Sequence, residues 1–263
     1  MAKRARLEQP AAVGETVTLS PAESHHLVVV RRAQAGETVV LLDGQGGVGK
    51  GALTNAHKAR AAVEVTGWEE HAPVAPAVTL AVAIPKNKTM DVVVHQATEL
   101  GVRRIVPLLT AHGEVWPKGL RAAEKRAKWQ QIVREAQKQC GNPWTPEVEA
   151  PMPLLDYRAT QKEGTEGPDA SVRLVAALHP AAQPPSAVLA MGNPPKRVVI
   201  AVGPEGDFSP AEYEALFAAA YQPVTLGPLV LKVDTACVAL VSQVLATGWS
   251  PAPDQRPAPG TPA

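Results

Sequence analysis

The hydrophobic rhythm of this chain changes at residue 77, and that change limits the folds open to it. Before it, "ETVTL" (15–19), "GETVVLLDGQGG" (36–47), "GKGALTNA" (49–56) and "RAAVEVTGW" (60–68) alternate in short runs rich in Val, Thr and Gly. That is the pattern of a small β-barrel. Ser20-Pro21-Ala22-Glu23 interrupts it with a capping box and a proline at the first helical position, ahead of "SHHLVVVRR". "HAPVAPA" (71–77) then reads as a linker. Beyond it, strands and helices take turns. "AVTLAVAI" (77–84), "RIVPLL" (104–109), "VRLVAAL" (172–178), "RVVIAVG" (197–203) and "PVTLG" (223–227) read as strands. "TMDVVVHQATELG" (89–101), the long basic stretch 119–141, the segment opened by the capping box Ser209-Pro210-Ala211-Glu212, and "DTACVALVSQVLATGW" (234–249) read as helices, the last with Asp234 as its N-cap. Alternation of this kind predicts an α/β domain with a mostly parallel sheet and ligands at the strand C-terminal ends.

The expected division is therefore a barrel over 1–72, an α/β domain over 73–249 and a tail over 250–263. The tail "SPAPDQRPAPGTPA" has little apolar bulk and reads as disordered. No run approaches the roughly 18 apolar residues of a membrane span, and the basic "MAKRARLEQP" lacks the apolar core of a secretory signal. The two cysteines, Cys140 and Cys237, are far apart and lack metal-binding spacing. Free thiols in a reducing cytoplasm, with no metal and no membrane partner, is the expectation.

Three turns follow strands in the second half: "LHP" (178–180), "GPEGDFS" (203–209) and "LGPLVLKVDTA" (226–236). They offer glycine, proline, leucine and main-chain polar groups, and no lysine-serine pair of a phosphate loop. Such turns suit an adenosine held by backbone hydrogen bonds between apolar walls. A glutamate, Glu205, at the centre suits a positively charged ligand better than a triphosphate. S-adenosylmethionine has those properties: an adenosine, a sulfonium and no phosphate. The competing reading makes Gly203 and Gly206 simple turn formers and Glu205 a solvated or locally capping group.

"IAVGPEGDFSPAEYEAL" with "LGPLVLKVDTACVAL" resembles the closing motifs of the RsmE family. The likeness continues through "AIPKNKTMDVVVHQATELGVRRIVPLLT" (83–110), "KWQQIVREAQKQCGNPWTPEV" (128–148) and "ESHHLVVVRRAQAGETVVLLDGQGG" (23–47). This resemblance implies a SPOUT trefoil-knotted methyltransferase domain preceded by a PUA-like RNA-binding barrel. It implies S-adenosylmethionine as cofactor, N3 of a uridine in 16S ribosomal RNA of the small subunit as target, and a homodimer. Carried over residue by residue, it places the cofactor on Leu178, His179, Gly203, Pro204, Glu205, Gly206, Leu226, Gly227 and Leu231. Leu229 and Asn142 stand where arginine is common in the family, and Lys232 replaces a further arginine. Glu205 as base and Lys232 as stabiliser of a uridinate are the catalytic candidates. Ribose 2′-O-methylation by a related enzyme, or RNA binding without catalysis, are the alternatives.

An RNA partner requires cations facing phosphates. The net charge of +1 supplies none in bulk, so local clusters must. Lys3, Arg4, Arg6, Arg31 and Arg32 form one in the barrel. Lys86 and Lys88 form a second. Lys118, Arg121, Lys125, Arg126, Lys128, Arg134 and Lys138 line a third along the long helix, whose Trp129, Ile132, Val133 and Ala136 read as the buried stripe.

Overall fold

A computed structural model describes residues 3–116, 119–160, 171–191 and 194–248. Lys118 and the tail 250–263 lie outside the described residues. The chain divides into two compact units, which meet in sequence between Ala72 and Pro73.

The first unit is a five-stranded sheet in the order β1 (Lys3–Arg6), β3 (Thr38–Leu42), β4 (Gly47–Asn55), β5 (Ala62–Glu70), β2 (Thr16–Thr18). It curls into a half-barrel around Leu27, Val39, Leu41, Leu53, Val63 and Val65. Every pair is antiparallel except β1 with β3. The alternation along β4, where Gly47, Gly49, Gly51 and Leu53 are buried, is the half-buried strand rhythm. Its glycines are packing devices. A Cβ on Gly47 or Gly49 would enter the Trp68 indole, at 2.3 and 2.8 Å. The β1 strand was absent from the sequence reading because "KRAR" carries a single apolar residue, the fully buried Ala5. Charges of this kind are usual on edge strands, where they discourage further pairing.

The helix expected after Ser20 begins there, but with the Glu23 carboxylate accepting the Arg6 N–H at 3.0 Å rather than completing the expected capping box. Ser20 Oγ accepts the Glu23 N–H, and α1 (Pro21–His25) runs into a π-helical turn over His26–Val30.

The second unit is an all-parallel sheet in the order β12 (Gln222–Val224), β10 (Val172–Ala176), β11 (Arg197–Val202), β6 (Ala77–Ala83), β7 (Arg104–Leu109), β8 (Glu147–Val148). The short β9 (Met152–Pro153) also pairs with β7. Side chains along β6 divide between two cores, as strand geometry requires. Val78, Leu80 and Val82 face α2 (Thr89–Glu99), α3 (Leu120–Cys140) and α7 (Val233–Gly248), through Val94, Trp129 and Leu240. Ala81 and Ala83 face α4 (Leu154–Thr160) and α6 (Pro210–Ala218), through Tyr157 and Leu216. A sixth described helix of this unit, α5 (Pro185–Leu189), buries Val188 and Leu189.

Helix ends match their chemistry. Gly101 (φ +79) and Gly141 (φ +85) follow α2 and α3 in the left-handed conformation that stops a helix. Ser209 and Glu212 form the full capping box of α6. The start of α7 differs from expectation: it begins at Val233, so Asp234 is its second residue rather than its cap. Lys232 takes the place before it, its carbonyl accepting the Ala236 N–H at 2.8 Å. Asp234 still complements the positive end of the helix.

Candidate functional site

The three C-terminal turns converge. β12, β10 and β11 are neighbours in the sheet, so their C-terminal ends open on one side. A cavity of about 530 Å³ lies there, within the range of small-molecule sites. Its walls are Ala176–Leu178 after β10, Val202–Asp207 after β11, and Val224–Gly227 with Leu229–Val233 after β12, closed by Ala236 of α7. Eight of the nine residues expected to hold a cofactor line it: Leu178, Gly203, Pro204, Glu205, Gly206, Leu226, Gly227 and Leu231. His179 does not. It is exposed, its Nδ1 accepts the Ala181 N–H at 3.1 Å, and its ring packs edge-on against Phe217.

The 203–209 turn is held on every side. Pro204 C=O accepts the Asp207 N–H, closing the turn at 2.9 Å. Asp207 sits at φ +60, which a short polar side chain tolerates. Its Oδ1 accepts the Phe208 N–H at 2.8 Å and the Tyr213 hydroxyl at 2.7 Å. Burial, and then the Asp207 carboxylate, push the Tyr213 hydroxyl well above the ordinary phenol range. Tyr213 is therefore fixed as a donor. Gly203 is closely packed: a Cβ there would lie 3.1 Å from Asp207 Oδ1 and 3.2 Å from Phe208 N, tighter than such contacts normally come.

Two neighbouring loops grip the turn from outside. Glu205 accepts the Lys86 N–H with both carboxylate oxygens, at 3.2 and 3.3 Å. His112 packs its Cβ 3.0 Å from where a Gly206 Cβ would stand, and its Nδ1 lies 3.0 Å from the Asp207 carbonyl. A carbonyl only accepts, so Nδ1 carries the proton in this contact. Glu212 Oε1 accepts the Ala111 N–H at 2.8 Å, tying α6 to the same loop. His112 escaped the sequence reading, because nothing in its spacing links the end of β7 to a turn 95 residues away.

The carboxylate in the glycine turn thus has a local occupation, as a strut between loops. Lys232 is exposed on the cavity wall. Cys237, on the α7 turn beside it, is fully buried, and burial pushes its thiol far above the reactive range.

The cation clusters divide by exposure. Arg31 and Arg32 are exposed beside Val29 and Val30, which are 46% and 59% exposed. Arg32 is held at φ +51, with its carbonyl accepting the Lys3 ammonium at 3.2 Å. Arg4 and Arg6 are half-buried on β1. Lys86 and Lys88 are exposed. On α3, Arg126 Nε donates to the Val148 carbonyl and Arg134 Nε to Gln131. Lys138 is buried, with its ammonium 3.1 Å from Glu135, so it does not present its charge as a surface cation would. Trp129, Val133 and Ala136 form the buried stripe, with Ile132 half-buried. Asn142 closes α3: its side chain donates to the Thr98 carbonyl at 2.9 Å and accepts the Trp144 N–H at 2.9 Å. Among the described residues, no group of three or more metal-binding side chains is present, and no helix is long and apolar enough to cross a membrane.

Comparison with known proteins matches both units. The family model described as RNA methyltransferase domain covers residues 72–245, and that described as RNA methyltransferase PUA domain covers 19–66. The ribosomal RNA small subunit methyltransferase E of Synechocystis sp. is 32% identical over 93% of this chain and 77% of its own. That of Mycobacterium bovis is 28% identical over 90% of this chain and 89% of its own. The crystal structure of the Neisseria gonorrhoeae enzyme of the same name, bound to S-adenosyl methionine, superposes with a TM-score of 0.82 at 27% identity, covering 94% of this chain and 98% of that one. A Legionella pneumophila methyltransferase in complex with the same cofactor superposes at 0.77 and 26% identity, with the same coverage. Both units are thus matched over nearly the whole length, and this chain belongs to the ribosomal RNA small subunit methyltransferase E family, the RsmE family that its C-terminal motifs resemble.

Proposed function

We propose that the chain methylates N3 of a uridine in 16S ribosomal RNA of the small subunit, with S-adenosylmethionine as donor. The observation that carries the reading is the cavity at the ends of β10, β11 and β12. Its aliphatic lining and close-packed Gly203 fit a nucleoside, and its turns lack the lysine-serine pair that a triphosphate would need. When bound, the cofactor supplies a methyl group activated on a sulfonium. The chain supplies position, which is the larger part of what such a transfer needs. Gly203 to Gly206 and Leu226 to Gly227 offer main-chain groups to the adenosine, while Leu178 and Leu231 flank it.

The uridine N3 proton must leave before or during attack. Lys232, exposed on the cavity wall, is placed to stabilise the negative charge that then develops on the base. Glu205 is committed to the Lys86 N–H, and we assign it to holding the loop rather than to taking the proton. The half-barrel, with Arg4, Arg6, Arg31 and Arg32, serves as the RNA-binding domain, and Lys86, Lys88, Arg126 and Arg134 extend the contact on the catalytic unit.

Leu178, Leu229 and Val230 are 66%, 74% and 81% exposed around the cavity. Apolar exposure on that scale supports a homodimer that covers it. Two cysteines without a disulfide accord with work in a reducing cytoplasm. The test is nucleoside mass mapping of 16S RNA from cells with and without the gene. N3-methyluridine disappears in its absence, and unchanged levels refute the assignment.

A further inference from the structure

A second, smaller cavity of about 160 Å³ lies in the same unit, between the 84–88 loop, Glu114, the start of α2 and the flank of α3 that carries Lys125, Lys128 and Trp129. Its apolar walls are Ile84, Pro85, Met90 and Trp129. Its rim carries three lysines, Lys88, Lys125 and Lys128, against two carboxylates, Asp91 and Glu114. Both carboxylates are placed by other bonds. Asp91 Oδ1 accepts the Trp129 indole N–H at 3.2 Å, and Lys128 pairs with Oδ2. Glu114 pairs with Lys125 at 3.1 Å, while its own N–H bonds the Ile84 carbonyl at 2.9 Å. The Trp116 ring leans on Trp129 with centroids 5.2 Å apart, and the Lys125 ammonium lies 5.3 Å from the Trp116 centroid.

The position of this cavity is as informative as its chemistry. The two loops that wall it also grip the cofactor turn on their other sides. Lys86, between Pro85 and Asn87 of the wall, bonds Glu205. His112, two residues before Glu114, packs on Gly206. One loop thickness therefore separates the two cavities. The volume is below the ~300 Å³ where sites for whole drug-sized ligands begin, and is suited to a single flat ring. Single-stranded RNA is read by seating splayed bases against aromatic and apolar side chains, with cations on the backbone.

We propose that this cavity is a nucleotide subsite, seating a base of single-stranded RNA adjacent to the one that is methylated. The proposal rests on the RNA methyltransferase reading above. The base sits at the mouth of the cavity over Pro85, Met90 and the largely buried Trp129, with an N–H donor toward Glu114, and Lys88 takes the phosphate.

The test uses the full chain and three probes. Uridine monophosphate quenches tryptophan emission, whereas ribose 5-phosphate, which lacks the base, leaves it unchanged. Lys88→Glu removes the quench and weakens binding of a short single-stranded oligoribonucleotide at least about tenfold, in line with loss of a seated, charge-paired nucleotide. S-adenosylmethionine binding, measured by calorimetry, is unaltered in that variant. Equal quenching by ribose 5-phosphate, or undiminished quenching and RNA affinity in Lys88→Glu, overturns the subsite. Absence of cofactor binding heat in the unaltered chain would instead overturn the methyltransferase reading, leaving the quench to report on the subsite independently.

Discussion

Glycine 203 shows how little room one backbone position leaves. Its neighbours Asp207 Oδ1, Phe208 N and Phe208 Cδ2 would all lie within 3.3 Å of an added Cβ. Tyr213 and the Phe208 N–H hold Asp207 in place, so the crowding is not relieved by swinging a flexible side chain aside. Gly203→Val therefore displaces the turn into the cavity that it lines, and the expected result is loss of S-adenosylmethionine binding heat. A melting curve run in parallel separates this from unfolding, and near-normal affinity in a folded variant would dismiss the turn as the cofactor's seat. The sequence made Gly203 conspicuous, but the reason for it lies five residues on, at the Phe208 side of the turn. Glu205 was equally conspicuous and its partner was not: a main-chain N–H 119 positions earlier leaves no trace in spacing or composition.

At the scale of elements, local chemistry carried most of the second unit into view. Continuous apolar runs became buried parallel strands, because both faces of that sheet are covered. Gly101, Gly141 and the Ser209-Glu212 box marked helix ends that the structure keeps. The misses in this unit are short. β8, β9 and α5 are five residues or fewer and α4 is seven, and all sit in or beside proline-rich connectors, so their pairing is decided by the strand or helix that they meet rather than by themselves. The α6 cap also reaches beyond its helix, since Glu212 bonds both Ser209 and the Ala111 N–H. Ser209→Ala removes the hydroxyl that accepts the Glu212 N–H and donates to its carboxylate. The expected cost is about 1 kcal/mol of stability, read as a lower denaturation midpoint with unchanged slope. Ser209→Asp, which keeps an acceptor for that N–H, places a second carboxylate beside Glu212 and should recover only part of the loss. A midpoint equal to that of the unaltered chain in Ser209→Ala would mean that the box contributes nothing to the helix.

Over the whole molecule, a net charge of +1 gives an RNA enzyme almost no general attraction for its substrate. Whatever affinity it has must come from cations that face outward, and the structure sorts these from the ones that do not. Lys3 is spent on Glu37 and on the Arg32 carbonyl, and Lys138 is buried against Glu135. Arg31 and Arg32 stand exposed beside Val29 and Val30 at the end of the π-helical turn. Arg32 is kept there at a positive φ, a conformation rarely adopted by a long side chain unless its surroundings hold it. Each phosphate neutralised releases counterions, so the logarithm of RNA affinity falls with the logarithm of salt by about 0.7 per contact on a single strand. Arg31→Ala with Arg32→Ala should therefore flatten that slope by roughly 1.4 if both meet phosphates. S-adenosylmethionine affinity should not move, because neither arginine lines the cavity. The comparison has to be made across several salt concentrations. A variant that binds more weakly at every salt with the same slope has lost packing or shape rather than phosphate contacts, and would remove these two arginines from the RNA-facing surface.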